Sequence, residues 1–267
     1  MKDFDGRTAV VTGAASGIGL ALCRAFAGRG MNVVMADVNA ERLREAAATV
    51  KPQAGREVLP VPTDVTKAES VQALADAAYD TFGAVHVLCN NAGIIIDGPL
   101  HEASLADWHW VIDVNLWGVI HGVHAFVPRM VAGGQGGHVV NTASMAGHFS
   151  SPNTGVYNVS KFAVVGLTES LSRDLKDSGI GVSCLSPGQV ETNLFFGYKD
   201  KPAAYASDKP VTFTRRAGAN VQPPEKVAEI VIAGIEEGRM HIFPHPDESR
   251  KIIEVRSARM LRDAVPV

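Results

Sequence analysis

Ser144, Tyr157 and Lys161 are the residues of this chain whose types and spacing suit acid–base chemistry best. Tyr157 and Lys161 stand four positions apart in a helical pattern, and residues at that spacing share one helix face. A free tyrosine has a pKa of about 10, and one ammonium about 4 Å away contributes about 4 kcal/mol at an effective dielectric near 20. We therefore predict that Lys161 lowers the pKa of Tyr157 enough for proton transfer. A solvated helix face is the alternative for this spacing.

Ser144 follows the strand-like run 138–142, so we expect its hydroxyl at the end of a strand, where it can polarise a carbonyl oxygen. No His-Glu-x-x-His motif or similar cluster occurs in the sequence, and we expect no metal site.

The bulk composition is that of a globular protein, with 267 residues, 46% hydrophobic and 20% charged, and a formal net charge of −3. Chains of this length with an α/β fold often form one domain, so we predict a single domain over residues 1–267. We expect no signal peptide, no membrane-spanning helix and no nucleic-acid partner, because the matching apolar and basic runs are missing. Cys23, Cys89 and Cys184 lie in apolar segments, which favours buried free thiols and a cytoplasmic location.

Short β-branched runs alternate along the chain with longer helical patterns, and this alternation predicts an α/β fold. Apolar strands in such an order form a doubly wound parallel sheet, here of about seven strands, with helices on both faces. Residues 189–222 lack periodicity and are predicted to be a substrate-binding loop. A charged amphipathic tail follows over 246–267. The predicted strands are 8–11, 32–36, 58–61, 85–89, 137–141, 180–185 and 240–243, and the longest predicted helix is 106–130.

The turn after the first strand has the composition of a dinucleotide-binding loop. Gly13, Gly17 and Gly19 stand between a strand and a helix, whose N-terminal N–H groups can bind phosphates. Their spacing differs from the general G-x-G-x-x-G fingerprint. Asp37, at the end of the second strand, is placed to accept hydrogen bonds from the adenosine ribose and to repel a 2′-phosphate. The pattern favours NAD over NADP, while a plain turn and a helix-capping Asp37 are the alternatives.

These features occur together with further motifs in an order that resembles the short-chain dehydrogenase/reductase (SDR) family, over roughly residues 5–245. The resemblance implies a single-domain Rossmann fold, an NAD-dependent oxidoreductase that interconverts a secondary alcohol and a ketone, and a homo-oligomer, either a dimer or a tetramer. The motifs are Thr12-Gly13-x-x-x-Gly17-Ile18-Gly19, Asn90-Asn91-Ala92-Gly93, Asn115, Ser144, Tyr157-x-x-x-Lys161 and Pro187-Gly188.

The resemblance also implies roles for individual residues. Tyr157 would be the general acid and base, Ser144 would hold the substrate oxygen, Lys161 would bind the nicotinamide ribose, and Asn115 would support a water-linked proton relay. A helix irregularity or a partner hydrogen bond is also compatible with Asn115. The implied cofactor contacts are Gly13, Ser16, Gly17, Ile18, Gly19, Asp37, Asp64, Val65, Asn91, Ala92, Gly93, Tyr157, Lys161, Pro187, Gly188, Val190 and Thr192.

Some of these assignments leave alternatives open. Asp64 suits a solvated cap nearly as well as an adenine contact. By resemblance Asn91 stabilises the sheet, whereas Asn90 lines the adenosine side. The expected substrate contacts are Ser144, Tyr157, His148 and Gln189, with Ile94, Ile95, Phe149, Phe195, Phe196 and Tyr198 as further candidates for an apolar wall.

Two other functions fit the same motifs. One is an NADP-dependent biosynthetic ketoreductase, which Asp37 disfavours. The other is a regulatory protein that binds a dinucleotide without catalysis, which the complete set of catalytic residues disfavours.

Overall fold

The computed structural model describes residues 1–192, 194, 201–206 and 220–264. Seven strands form one sheet in the order β3-β2-β1-β4-β5-β6-β7, and each neighbouring pair is parallel. The predicted doubly wound parallel sheet is therefore confirmed. The strands are β1 (Thr8–Thr12), β2 (Asn32–Asp37), β3 (Val58–Pro62), β4 (Val87–Asn90), β5 (Gly137–Thr142), β6 (Ile180–Leu185) and β7 (His241–Ile242).

Helices cover both faces of this sheet. Side chains alternate along each strand, so that Val11 and Val33 pack on one face and Val10 and Val34 on the other. The first face is covered by α1, α2 and α7, and the second by α3, α5 and α6. The helices are α1 (Gly17–Gly28), α2 (Ala40–Thr49), α3 (Ala68–Phe82), α4 (Leu105–Ile112), α5 (Gly118–Gly133), α6 (Gly155–Asp174), α7 (Pro224–Glu237) and α8 (Pro246–Asp263).

The long helix predicted over 106–130 is interrupted. A five-residue π-helical turn (Asp113–Trp117) separates α4 from α5. Helix α4 begins with a capping box, in which the Ser104 hydroxyl accepts the N–H of Asp107 and the Asp107 carboxylate accepts the N–H of Ser104. These two bonds satisfy N–H groups that the first helical turn leaves without a partner.

The combined segment Leu105–Gly133 is long and apolar enough, by length and composition alone, to cross a membrane. No such segment was expected from the sequence, because polar residues interrupt its apolar runs. Half of its most apolar stretch is buried inside the protein. Phe126 and Met130 there pack in the core between α5, α3 and the sheet. Core packing therefore accounts for much of its apolar character.

Two predicted features outside the sheet have an outcome, and a third falls on residues that the structure does not describe. Cys23, Cys89 and Cys184 are buried free thiols, as expected. The tail from Pro246 forms a helix, α8, with exposed Val255 and Leu261. The wall candidates Phe195, Phe196 and Tyr198 lie outside the residues that the structure describes.

Candidate active site

A cleft opens at the carboxyl edge of the sheet, where the order of the strands reverses between β1 and β4. It encloses about 860 Å³ of empty space, part of which is open to solvent. Asp37 ends β2 and Lys161 lies beside the end of β5, three strand spacings away, which corresponds to about 14 Å. The described residues that line it are Gly13, Ser16, Gly17, Ile18, Asp37, Asn91, Ala92, Gly93, Thr142, Ala143, Ser144, Tyr157, Lys161, Pro187, Gly188, Val190, Thr192 and Leu194.

The glycine turn between β1 and α1 is a cradle that only glycine can build. Gly13 and Gly17 have φ values of +66° and +52°, in the left-handed region that side chains disfavour. A Cβ on Gly13 would stand 2.9 Å from the Cα of Ala92, and one on Gly17 would stand 2.9 Å from Cγ2 of Thr192. Gly19 lies behind the turn, where a Cβ would collide with the carbonyl oxygen of Gly13. These close approaches leave the backbone bare toward the cleft, as a pyrophosphate requires.

The segment after β4 is tied to the end of β1. The Thr12 hydroxyl accepts the N–H groups of Asn91 and Ala92 at 2.9 and 3.1 Å, and the Asn91 amide donates to the Thr12 carbonyl at 3.0 Å. The Thr142 hydroxyl donates to the amide oxygen of Asn91 at 3.4 Å. Asn91 therefore links three strand ends and also lines the cleft. Thr12, although part of a sequence motif, was not predicted to be a functional residue.

Asn90 does not line the cleft as the resemblance implied. Its side chain is buried within the sheet and donates from Nδ2 to Oδ1 of Asn141 at 2.9 Å. The expected place of Asn90 on the adenosine side was therefore wrong, because a strand's last residues point to alternate faces of the sheet. Asn91 ties the strand ends together, as the resemblance implied.

Asp37 both closes a turn and faces the cleft. Its Oδ2 accepts the N–H of Ala15 at 3.2 Å, and its Oδ1 accepts the N–H of Asn39 at 3.1 Å. Each carboxylate oxygen keeps a further lone pair for another donor. Among the described residues that line the cleft, Asp37 carries the one carboxylate and Lys161 the one cationic side chain.

Ser144, Tyr157 and Lys161 meet at the other end of the cleft. The Ser144 hydroxyl donates to the carbonyl of Pro187 at 3.5 Å and accepts the N–H of Ala146 at 3.1 Å. It lies close enough to the Tyr157 phenol to oppose the rise in the pKa of that group. The Lys161 ammonium donates to the carbonyl of Thr142 at 2.9 Å and lies 5.6 Å from the centroid of the Tyr157 ring. Helix α6 carries Tyr157 and Lys161 on one face, as the spacing predicted.

Burial dominates the ionisation of this group. It raises the pKa of Tyr157 to about 12, against the opposing effect of the Ser144 hydroxyl. It lowers the pKa of Lys161 to about 8, while nearby Cys184 has the opposite effect. The prediction that Lys161 lowers the pKa of Tyr157 was therefore wrong for this structure, because it counted the attraction between the two charges and omitted their desolvation.

Asn115 lies in the π-helical turn and is fully buried. Its Oδ1 accepts the N–H of Ile94 at 2.8 Å, and its Nδ2 donates to the Ile94 carbonyl at 2.9 Å and to the Ser160 hydroxyl at 3.0 Å. Both the helix irregularity and the partner hydrogen bond considered for Asn115 are present. The side chain fixes the chain next to Gly93, so its effect on the cleft is one of position, and the proton relay stays a prediction.

Asp64 and Val65 are not among the described residues that line the cleft. The Asp64 carboxylate accepts the N–H and the hydroxyl of Thr66 at 3.0 and 2.7 Å. These bonds close a turn before α3, whose first N–H groups receive no side-chain cap, so the capping role considered for Asp64 is not observed. The carbonyl oxygen of Val65 is 2.9 Å from Nδ1 of His121. Their contacts with an adenine stay predictions.

His148 and Gln189 are likewise absent from the cleft lining in the described part of the chain. Nε2 of His148 is 2.9 Å from the hydroxyl of Ser186, and its ring packs edge-on against Phe243 at 5.3 Å. The carbonyl of Gln189 accepts the N–H of Gln222 at 3.0 Å. Their predicted contact with substrate is not visible in this arrangement.

The sheet topology, the glycine cradle and the buried tyrosine and lysine define an α/β oxidoreductase of the Rossmann type. The chain matches the model of the short chain dehydrogenase family over residues 7–202. It therefore belongs to that family, and the resemblance inferred from the motifs is confirmed.

Curated relatives and solved structures agree with this assignment. A short-chain dehydrogenase/reductase from Burkholderia phymatum, solved in complex with NAD, superimposes with a TM-score of 0.92 at 40% identity, covering 100% of this chain and 98% of the other. The cis-4-hydroxycyclohexanecarboxylate dehydrogenase of Sinomonas cyclohexanicum is 41% identical over 85% of this chain and 88% of its own. The 1-deoxy-11-beta-hydroxypentalenate dehydrogenase of Streptomyces exfoliatus is 38% identical over 90% and 84%.

Proposed function

We propose that this protein is an NAD-dependent dehydrogenase that interconverts a secondary alcohol and a ketone, with Tyr157 as the general acid and base. The observation that carries the proposal is that Ser144, Tyr157 and Lys161 line the same cleft as the glycine cradle. The relatives named above support it, because they are dehydrogenases of hydroxylated ring compounds and the related structure contains NAD.

The cleft offers a complete set of contacts for a dinucleotide. In the described structure the Ser16 side chain makes no capping bond to α1, so the first N–H groups of the helix are open to phosphate oxygens. Asp37 would hold the adenosine ribose and Lys161 the nicotinamide ribose. Pro187, Gly188, Val190 and Thr192 would line the nicotinamide. When bound, the nicotinamide ring exchanges two electrons and a hydrogen with the substrate carbon.

Proton transfer falls to Tyr157. Because its pKa is about 12, the phenol is protonated at neutral pH and can donate its proton to a carbonyl oxygen. In the reverse direction the phenolate takes the proton of the alcohol. Ser144, which lines the cleft beside Tyr157, would donate to the same substrate oxygen and hold it next to the phenol.

The preference for NAD rests on charge. A 2′-phosphate at the adenosine end would meet the Asp37 carboxylate, and no lysine or arginine from the described chain lines that end of the cleft to offset the repulsion. If the enzyme prefers NADP, the protein is instead an NADP-dependent reductase, and the proposed preference for NAD is wrong.

We also infer a homo-oligomer in the cytoplasm. Exposed Trp117, in the π-helical turn, and exposed Val159, on α6, support an interface between subunits. The three buried free thiols support a reducing compartment.

A panel of cyclic and linear secondary alcohols and ketones, followed by NADH absorbance, tests the activity. We expect turnover with at least one cyclic secondary alcohol, and a specificity constant for NAD at least ten times that for NADP. No turnover across the panel despite tight NADH binding would contradict the assignment in favour of a regulatory protein. A higher specificity constant with NADP would contradict the cofactor preference.

A further inference from the structure

A second group of reactive side chains lies beside the cleft on β6 and β7. His241 pairs with Cys184 across these two strands, and His148 approaches both from the segment after β5. One ligand atom from each of His148, Cys184 and His241 lies within 4.8 Å of the others. The three residues are far apart in the sequence, so they form no metal-binding motif that sequence spacing could reveal.

The two ring nitrogens of His241 have the surroundings that a metal-binding histidine requires. Its Nδ1 is buried and has no hydrogen-bond partner in the described structure, which is costly for a polar atom. Its other ring nitrogen, Nε2, lies 3.6 Å from Oε1 of Glu169. Histidine ligands of zinc commonly direct their second nitrogen toward a carboxylate, which orients the ring and increases its basicity.

The donor set selects the metal. Two imidazoles and one thiolate suit Zn²⁺, and they suit Mg²⁺ and Ca²⁺ poorly because those ions prefer oxygen ligands. Ligand atoms at 2.0–2.3 Å from tetrahedral zinc stand about 3.5 Å apart, so the three side chains need to close by about 1 Å. The Ser186 hydroxyl, 2.9 Å from Nε2 of His148 and 3.7 Å from Sγ of Cys184, links two of the three.

We propose that His148, Cys184 and His241 form a binding site for Zn²⁺, with Glu169 as the carboxylate behind His241 and a water in the fourth position. A bond forms between Sγ of Cys184 and zinc while the S–H bond breaks, and its proton passes to the solvent. No oxidation state changes. Cys184 stands three residues before Pro187, so zinc would fasten β7 to β6 next to the nicotinamide end of the cleft.

Calorimetric titration of the untagged, chelator-treated protein with ZnCl₂, and separately with MgCl₂, tests the site. We expect one equivalent of zinc per chain with release of about one proton, and no binding of magnesium. His241→Ala is expected to weaken zinc binding at least tenfold, because it removes one of the three protein ligands. The variant should still fold, because His241 is partly exposed and its removal leaves the core intact. His101→Ala, at an exposed histidine, is the matched control and should bind as the unaltered protein does.

Cobalt distinguishes the proposed site from metal binding at surface histidines, because only a site with a thiolate ligand gives a thiolate-to-cobalt absorption band. With Co²⁺ in place of zinc, we expect the absorption band of thiolate-to-metal charge transfer, and Cys184→Ala should remove it. If Cys184→Ala does not fold, His241→Ala decides the matter through its loss of affinity. Equal zinc affinity of His241→Ala and the unaltered protein, no uptake of zinc, or a cobalt complex without the thiolate band would overturn the proposal. None of these measurements involves NAD, so the proposed dehydrogenase activity is tested separately.

Discussion

The two ends of the cleft are built in different ways. The end near Asp37 consists of backbone, glycines and a carboxylate held by two N–H groups, all within a short stretch of chain. The end near Tyr157 combines two buried ionisable side chains, Tyr157 and Lys161 on α6, with residues that follow the ends of β5 and β6. Recognition of the proposed cofactor would therefore rest on local shape at low energetic cost. The reactive end holds groups whose charged forms the surrounding protein disfavours, and this cost is the source of their unusual pKa values.

The largest effect should follow from removing the phenol hydroxyl at the reactive end. Tyr157→Phe is expected to lower kcat about 10³-fold, since general acid–base catalysis contributes 10²–10⁴-fold. The dissociation constant for NADH, measured by fluorescence, should change less than about threefold, because the glycine cradle is untouched. Tyr79→Phe is the matched control, since the Tyr79 hydroxyl is buried without a partner in the described chain and lies on α3. Activity above a tenth of normal in Tyr157→Phe would contradict the role of the phenol.

Lys161 should show opposite effects on activity and stability. Its pKa is about 8 in the folded chain and 10.5 as the reference value, so the unfolded chain binds more protons between these limits. The contribution of Lys161 to the free energy of unfolding should therefore rise with pH over that window, and below pH 8 the buried ammonium costs at most about 3.4 kcal/mol. Burial raises the pKa of Cys23, Cys89 and Cys184, which lowers the free energy of unfolding once the unfolded thiols ionise near pH 9. The contribution of Lys161 is therefore the difference between the unaltered protein and a variant without the lysine. Lys161→Met is expected to increase the free energy of unfolding at pH 7 by about 1–3 kcal/mol while lowering kcat about 100-fold.

Urea denaturation at pH 7 and pH 9.5, without added NAD, measures this effect. The excess in free energy of unfolding of Lys161→Met over the unaltered protein should be largest at pH 7 and shrink toward pH 9.5, because the buried cysteines affect both proteins equally. The raised pKa of Tyr157 acts in the opposite direction only above about pH 10, where the unfolded chain releases the phenol proton first. Lys226→Met, at an exposed lysine on α7, is the control. A Lys161→Met variant less stable than the unaltered protein would show that hydrogen bonding to Thr142 outweighs desolvation.

The smallest of the three effects should come from the recognition end. Asp37→Ala removes the charge that a 2′-phosphate would meet, so the ratio of specificity constants for NAD and NADP should fall about tenfold, equivalent to about 1.4 kcal/mol. Glu41→Ala, an acid in the first turn of the following helix, should leave the ratio unchanged. Steady-state kinetics with both cofactors measures it. An unchanged ratio in Asp37→Ala would mean that backbone shape alone selects the cofactor.

The same contrast explains how far the sequence alone could predict the site. Gly13, Gly17 and Asp37 act through local backbone geometry, and the sequence pattern placed all three at the cleft. The strand–helix alternation likewise predicted the sheet. The pKa of Tyr157 could not be predicted from spacing, because it depends on burial by distant segments. The place of Asn90 was not predicted either, since it depends on which face of the sheet the side chain points to.

The π-helical turn has a consequence for the composition of the chain. An extra residue in one turn rotates all later side chains by about 100° relative to an uninterrupted α-helix. The faces that α4 and α5 bury, against α6 and against α3, therefore do not form one stripe along the segment. Apolar residues are needed around much of its circumference, and Leu105–Gly133 acquires the average hydropathy of a bilayer-spanning segment. The high average hydropathy of Leu105–Gly133 is thus a consequence of the π-helical turn, because the turn points the buried faces of α4 and α5 in different directions.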